Sequence, residues 1–318
     1  MAINKVSGTS WSDVSKASGV AVSGIDNLNS QDATSGVSST VVTDNLWISF
    51  DPNEINGTTI TDQSGNSRDG VLTNGASVVS NYNGATAAFF TDGTNDYAQR
   101  ATTSNPSTGF PFTIESWHYR QPVSAMGSGN APTVGKPHNS RYRFVDHGVF
   151  ATDYTDSYGN RGSYHRYYTN SASGSTNSYN ESYYADTKVT NSNGVSVLKS
   201  AVDTAIGTTG DSWIHACTVF YLNSSNRISI KAFLNGVKVK DIDGDNMDII
   251  ASGLPGTNPA WPWEDGGTCS YGFGYRERYS STDSYHKGHW GDYRLYTDVL
   301  TDAEVLNNFN ATKSKYGY

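Results

Sequence analysis

The fold is decided by three stretches: Phe112-Thr-Ile-Glu-Ser-Trp-His-Tyr119, Trp213-Ile-His-Ala-Cys-Thr-Val-Phe-Tyr221 and Phe233-Leu-Asn-Gly-Val237. Each stretch is rich in aromatic and β-branched residues, which favour extended strands. The third contains Asn235-Gly236, a strong signal for a two-residue hairpin turn. Together the three stretches predict long strands in an antiparallel sheet.

The composition suits many short strands joined by polar turns. Of 318 residues, 32 are glycine and 21 are tyrosine, whereas charged residues make up only 16%. Such a chain is long enough for one large all-β domain with a further segment beside it.

Charge and hydropathy argue against two classes of partner. The net charge is −8 and the isoelectric point is near 5.3, without the clustered lysines and arginines that bind nucleic acid. No run of about 18 apolar residues occurs, so we expect no membrane insertion.

The cysteines and the first residues suggest where the chain is made. Cys217 and Cys269 are too few for a disulfide framework, and Cys217 is expected to be a small buried residue in its strand. Residues 1–5 are not followed by the apolar core of a signal peptide. We therefore expect synthesis in a reducing cytoplasm.

Further strand and turn motifs follow one another in a definite order. They are Leu46-Trp-Ile-Ser-Phe50, Asp62-Gln-Ser-Gly65, Asn74-Gly75, Asp92-Gly-Thr-Asn-Asp-Tyr97 and Gly291-Asp-Tyr-Arg-Leu-Tyr296. With the three opening stretches, this order resembles the laminin-G-like branch of the concanavalin A-like lectin/glucanase superfamily over residues 45–120 and 205–315. The resemblance implies an all-β fold, an antiparallel two-sheet jelly-roll sandwich over residues 45–318, with an extended N-terminal arm.

A short C-terminal helix is predicted after the last strand. Thr301-Asp-Ala-Glu304 has the spacing of a capping box, in which each side chain accepts a hydrogen bond from the other residue's backbone N–H. Val305, Leu306 and Phe309 then form an apolar stripe at helical spacing.

Residues 1–40 form a segment of their own. A pattern of β-branched, polar and turn residues recurs every 11 residues, beginning at positions 3, 14 and 25. The apolar positions need a partner surface to be buried, which predicts a docking arm; a disordered leader is the alternative. The segment resembles the N-terminal segments of structural proteins in tailed bacteriophages, especially those of cyanobacterial hosts. The predicted docking residues are Ile3, Val6, Trp11, Val14, Ile25 and Leu28.

Two aromatic-rich regions are candidates for ligand binding. Residues 122–200 depart from the family pattern and place tyrosines in a Ser/Asn/Gly background, the chemistry of adaptable contact surfaces. Trp261-Pro-Trp263 opens a second cluster, suited to stacking on sugar rings. The alternatives are extra sheet strands for the first region and a strand facing the core for the second. The predicted ligand-binding residues are Tyr164, Tyr167, Tyr168, Tyr183, Tyr184, Trp261 and Trp263.

Glycosidase chemistry is not expected. Glucanases of this superfamily carry a Glu-x-Asp-x-x-Glu strand, which supplies two carboxylates about 5 Å apart in retaining enzymes. That motif is missing here, and Glu115 stands alone in its strand. We therefore predict that the chain is not an enzyme.

The resemblance also implies a structural calcium ion. Calcium takes oxygen ligands, which acidic loops supply. Asp92, Asp96 and Asp292 match the positions where the family tends to place acidic residues. Ordinary turn chemistry is the alternative for Asp92 and Asp96.

The resulting hypothesis is a non-catalytic virion protein, either a capsid decoration or a fibre component. The arm would bind other virion proteins, and the sandwich would be displayed on the virion surface toward a host-surface glycan. A homo-oligomer is expected from that role. The alternatives are a free carbohydrate-binding module and a diverged glycoside hydrolase.

Overall fold

The computed structural model describes the backbone of residues 40–102, 111–121, 212–225, 228–243, 269–278, 281–285 and 287–318, and of short strands at 16–17, 20–21, 138–139, 143–149, 163–168 and 182–184. Side chains are described for residues 40–100, 111–121, 212–225, 229–241, 243, 271–274 and 287–318.

The chain divides into two compact units, Met1–Ser38 and Ser39–Tyr318. In the first unit, strands β1 (Lys16–Ala17) and β2 (Val20–Ala21) pair antiparallel. The predicted docking residues lie outside the described residues; they are Ile3, Val6, Trp11, Val14, Ile25 and Leu28.

The second unit consists mainly of antiparallel strands. In chain order they are β3 (Leu46–Asn56), β4 (Thr59–Asp62), β5 (Gly70–Thr73), β6 (Ser77–Tyr82), β7 (Ala85–Asp92), β8 (Tyr97–Thr102), β9 (Phe112–Arg120), β10 (His138–Asn139), β11 (Arg143–Val149), β12 (Ser163–Tyr168), β13 (Ser182–Tyr184), β14 (Ser212–Leu222), β15 (Ile228–Leu234), β16 (Val237–Ile242), β17 (Cys269–Phe273), β18 (Tyr275–Arg278), β19 (Ser281–Tyr285) and β20 (Lys287–Tyr296). The α-helix α1 (Asp302–Thr312) and a 3-10 turn (Lys313–Lys315) follow the last strand.

Strand β3 connects two layers. Its first half pairs with β20 and its last residues pair with β4, across a register shift between Phe50 and Ile55. In the front layer, β20 has β3 and β7 on one side and β9 on the other. Strands β14, β15 and β16 follow β9 in that order, and β6 pairs with β7. The back layer runs β4, β5, β8, β17, β10, β11, β12 and β13. The predicted antiparallel two-sheet sandwich with a short C-terminal helix is confirmed.

The main core lies between the two layers. Ile114 and Phe220 of the front layer pack in one cluster with Ile60, Leu72 and Phe273 of the back layer. All five side chains are buried, which removes their apolar surface from water and stabilises the sandwich.

Strand β9 is buried on both faces, and all nine of its residues are buried. One face contributes Phe112 and Ile114 to the core between the layers. The opposite face lies under the C-terminal segment, where the Trp117 ring stacks on Tyr316 at 4.3 Å between centroids. The indole Nε1 of Trp117 also donates to Thr312 Oγ1 of α1 at 3.0 Å.

Two local predictions are confirmed atom by atom. Asn235 and Gly236 have φ values of 50° and 76°, the left-handed conformation that a two-residue hairpin between β15 and β16 requires. At the start of α1, the Thr301 N–H donates to Glu304 Oε2 at 2.7 Å and the Glu304 N–H donates to Thr301 Oγ1 at 3.3 Å. The reciprocal bonds form the predicted capping box.

The region predicted as an insertion, residues 122–200, supplies strands to the back layer. Its described backbone forms β10, β11, β12 and β13, which end the strand order at β13. Within the described ranges, no helix has the length and apolar character needed to cross a membrane.

Candidate binding site

The five predicted tyrosines of the insertion fall on two paired strands. Tyr164, Tyr167 and Tyr168 belong to β12, and Tyr183 and Tyr184 belong to β13. In the antiparallel register, Tyr167 lies directly opposite Tyr183. Residues that are more than ten positions apart in sequence are thereby brought to neighbouring positions of one sheet.

The register divides these tyrosines between the two faces of the back layer. Because successive strand residues alternate between faces, Tyr164 and Tyr168 occupy positions of one face and Tyr167 the other. Tyr184 lies opposite Arg166 and shares the face positions of Tyr164 and Tyr168. Arg166 and Tyr184 are therefore neighbouring positions on the strands that end the back-layer order.

The second aromatic region is described only in part. Trp261 and Trp263 lie outside the described residues. Tyr271 and Phe273 are in β17, fully buried in the core between the layers. For these two residues the alternative prediction, a strand facing the core, is confirmed.

The structure does not bring the three predicted calcium ligands together. Asp96 is buried, and its carboxylate accepts from the Gly75 N–H at 2.7 Å and the Asp92 N–H at 3.1 Å. Asp92 accepts from the Thr94 N–H at 2.7 Å. The bonds to the Asp92 and Thr94 N–H groups lie within one turn, as the alternative prediction stated, whereas the bond from Gly75 joins that turn to the turn between β5 and β6.

Asp292 lies elsewhere on the front layer. Asp92 pairs with Lys287 of β20, five residues before Asp292. At ~3.3 Å per strand residue the separation is roughly 15 Å, too far for a shared ion. In the described part of the chain, no three His, Cys, Asp or Glu side chains are grouped to hold a metal ion. The three aspartates therefore do not fit one calcium site.

Asp292 instead belongs to a buried charge network between the front layer and α1. The Arg294 guanidinium pairs with Asp292 through Nη2 and with Glu115 through Nη1, the latter at 2.9 Å. Asp292 also accepts from the Tyr316 hydroxyl at 2.7 Å, and Lys315 Nζ lies 3.3 Å away. All of these acidic side chains are fully buried.

Glu115 is held from three directions. Its Oε2 accepts from Asn308 Nδ2 of α1 at 3.0 Å, and His215 Nε2 lies 3.5 Å away, a distance at which the contact is electrostatic rather than a short hydrogen bond. Burial alone would raise the pKa of Glu115, but His215 and Arg294 outweigh it and lower the pKa to about 2. At neutral pH the group is ionised and inaccessible, so it is not poised to donate a proton.

The same helix residue connects this network to the first residues of the second unit. Asn308 Oδ1 accepts from the Val42 N–H at 2.8 Å, and Asn308 Nδ2 donates to the Tyr296 hydroxyl at 3.0 Å. The Tyr296 hydroxyl in turn donates to the Val42 carbonyl at 3.2 Å. One buried amide therefore links β9, β20, α1 and the chain just before β3.

A partly exposed aromatic cluster lies on the same face of the front layer, beyond the C-terminal segment. The His289 imidazole stacks on Tyr82 with ring centroids 3.5 Å apart and packs against Phe90 at 4.8 Å. Burial, and to a lesser extent the neighbouring Lys287 charge, lower the pKa of His289 to about 4. The ring is therefore neutral through most of the mildly acidic range.

Comparisons with known proteins find similarity to solved structures at low sequence identity. No family model matches the sequence, and no curated protein matches it. One similar structure is domain 4 of AbnA, a GH43 extracellular arabinanase from Geobacillus stearothermophilus, in complex with arabinotriose; identity is 13%, coverage is 83% of this chain and 97% of that chain, and the TM-score is 0.47.

Two further structures show the same level of similarity. The binding domain of botulinum neurotoxin serotype D has 11% identity and a TM-score of 0.47, and the match covers 84% of this chain and 52% of that chain. Trypanosoma rangeli sialidase has 11% identity and a TM-score of 0.42, and the match covers 85% of this chain and 33% of that chain. All three TM-scores are below 0.5.

Replacing Glu115 by Gln is expected to lower the free energy of unfolding by about 3 kcal/mol, because it leaves the buried Arg294 charge with less compensation. Denaturant unfolding at pH 7 measures the change. The exposed Glu54→Gln is the matched control. A loss no larger than the control's would show that the network does not stabilise the fold.

The His289 pKa predicts a loss of stability in mild acid. Between the ordinary pKa of 6.5 and about 4, the unfolded chain binds a proton that the folded chain does not, so stability falls as pH falls through this range. His289→Gln is expected to flatten the melting temperature between pH 6.5 and 4. Lys287→Gln removes a charge that lowers the His289 pKa. This variant is therefore expected to narrow the pH range over which stability falls. An unchanged pH profile in both variants would contradict the assignment.

Proposed function

We propose that this chain is a non-catalytic attachment protein of a tailed-phage virion. Its sandwich would be a laminin-G-like member of the concanavalin A-like superfamily that binds a host-surface glycan. The arm at residues 1–40 would dock the chain on other virion proteins. It would act as a capsid decoration or fibre component on the exposed virion surface, after synthesis in the host cytoplasm.

The observation that carries the glycan-binding part is the pairing of β12 and β13. Tyr167 and Tyr183 lie opposite each other, and Tyr184 lies opposite Arg166, in the strands that end the back-layer order. Tyrosine offers a large rigid surface at low entropic cost, and its ring face stacks on sugars while its hydroxyl bonds to them. Tyr167 and Tyr183 hold positions on one face of the layer, and Tyr184 and Arg166 hold positions on the other, so the paired strands support a shallow, polar binding surface.

The chemistry of Glu115 supports a non-catalytic role. A glycosidase acid needs a carboxyl whose pKa is raised toward neutrality. Glu115 has the opposite environment, since Arg294 and His215 hold its pKa at about 2 in a fully buried site. Glu115 lies under α1, a position that suits a charge that stabilises the fold better than a carboxyl group that takes part in a reaction.

The arm supports multivalent display. Its 11-residue repeat supplies apolar positions without enough surface for a core of its own, so a partner surface would complete it. Many copies on one particle, or a homo-oligomer, would strengthen weak glycan binding through avidity without new contacts. This requirement favours attachment over a free carbohydrate-binding module.

A glycan array tests the binding proposal. The full chain is expected to bind a defined set of glycans, and the pair Tyr167→Ser with Tyr183→Ser is expected to weaken that binding at least about tenfold, since each stacked aromatic contributes on the order of 1 kcal/mol. Tyr221→Ser, on β14 of the front layer, is the matched control. If binding survives Tyr167→Ser with Tyr183→Ser but is lost in Tyr221→Ser, the glycan site does not lie on β12 and β13.

The virion proposal has a separate test. Mass spectrometry of purified virions is expected to detect the full chain, and a chain lacking residues 1–38 is expected to be lost from the particles while keeping its glycan binding. A truncated chain that incorporates normally would remove the docking role of the arm. Absence of the full chain from virions, with sugar binding retained, would favour the free carbohydrate-binding module.

A further inference from the structure

A second polar cluster lies on strands β3 and β8 and on the loop between β4 and β5. It consists of Trp47 at the start of β3, Arg68 in the loop between β4 and β5, and Arg100 in β8. The guanidinium carbon of Arg68 lies 3.4 Å from the centroid of the Trp47 ring. All three side chains are partly exposed, so the cluster is open to solvent.

The neighbouring carboxylates are committed to the backbone. Asp62 accepts from the Ser49 N–H at 2.9 Å and from the Arg68 N–H at 2.9 Å, and its own N–H donates to Asp69 Oδ1 at 2.9 Å. These bonds fix the loop that carries Arg68. Among the side chains that the structure describes, neither Arg68 nor Arg100 is within salt-bridge distance of a carboxylate.

Each guanidinium is therefore largely unused as a hydrogen-bond donor. Arg68 Nη1 donates to the Trp47 carbonyl at 3.1 Å, and Arg100 Nη1 donates to the Asp69 carbonyl at 3.2 Å. An arginine has five N–H donors, and these bonds use one from each side chain. Arg100 Nε and Trp47 Nε1 are buried atoms without a hydrogen-bond partner.

Unpaired buried donors and adjacent like charges both destabilise a site unless an acceptor is supplied. A buried donor without a partner costs about 1–3 kcal/mol. Burial lowers the pKa of Arg68, and the Arg100 charge lowers it further, although Asp62 and Tyr271 act in the opposite direction. An anion placed between the two guanidinium groups would satisfy the donors and offset the repulsion.

We propose that Trp47, Arg68 and Arg100 form a binding site for the carboxylate or sulfate group of an acidic saccharide. A guanidinium stacked on an indole keeps its remaining N–H groups in its own plane, free to pair in fork geometry with two oxygens of an acid group. The identification of the ligand as a saccharide rests on the proposed function. This site would give the protein a preference for acidic glycans over neutral ones.

The overall charge of the chain sharpens this inference. A net charge of −8 repels anions in general, so anion binding requires a local set of donors. Non-specific attraction of a polyanion is therefore disfavoured, and saturable binding would point to a defined site.

Short dextran oligomers, either unmodified, carboxymethylated or sulfated, provide probes on one sugar backbone. Calorimetric titration of the full chain at about 0.15 M salt, where long-range attraction is screened, is expected to show saturable binding of an acidic oligomer and none of the neutral one. The carboxymethylated and sulfated arms distinguish the two acid groups. Arg68→Gln and Arg100→Gln are each expected to weaken binding at least about tenfold, the scale of a lost charge-assisted hydrogen bond.

Two controls separate binding from folding. Lys231→Gln removes one positive charge on β15 of the front layer and is expected to leave the affinity unchanged. Arg68→Lys keeps the charge but loses the planar fork, and is expected to weaken binding while the melting temperature stays near that of the parent chain.

Equal affinity in the Arg68 and Arg100 variants and in the parent would overturn the inference. So would a parent chain that binds no acidic oligomer but still binds neutral glycans on the array, a result that leaves the proposed function standing. If the parent binds neither acidic oligomers nor any glycan on the array, the glycan-binding function falls together with this site.

Discussion

The ion pair between Glu115 and Arg294 is the contact on which the outer face of the front layer depends. Two charged groups without water are stable only where geometry is good and the remaining polar atoms are bonded. Helix α1 supports the pair in two ways: Asn308 donates a hydrogen bond to Glu115, and the segment after the helix excludes solvent. Arg294 Nε nevertheless has no hydrogen-bond partner. Helix α1 and the buried ion pair stabilise each other, so the two are expected to form together and to be lost together.

Much of the fold was predictable because its signals are local. Aromatic and β-branched runs marked β9 and β14, and the Asn235-Gly236 pair marked the hairpin, since few other residues adopt its positive φ values. The capping box at Thr301 was equally local, as both partners lie within one helical turn. Such elements are encoded by residues that are neighbours in sequence, so reading them needs no knowledge of the tertiary structure.

The site residues were harder to predict because their partners are distant in sequence. Glu115 and Arg294 are 179 residues apart, and no spacing rule connects them. Asp292 had the right residue type for a metal ligand, yet it pairs with Arg294, two residues further along β20, rather than lying near Asp96. Arg68 and Trp47 were not predicted as site residues, since nothing in the sequence near a lone loop arginine indicates that its guanidinium stacks on a ring 21 residues away. The tyrosines of the insertion were visible from composition alone, whereas their cross-strand pairing was not.

The position of β20 has a consequence for the order in which the domain can be built. This strand is the last of the front layer in sequence, yet it lies between β9 on one side and β3 and β7 on the other. A nascent chain on the ribosome must therefore hold those three strands with open edges until β20 has emerged. Exposed strand edges can pair with other chains, so this domain is open to misassembly for a long time during translation. Closure by the final strand makes folding a late event, dominated by long-range contacts, and correspondingly slow.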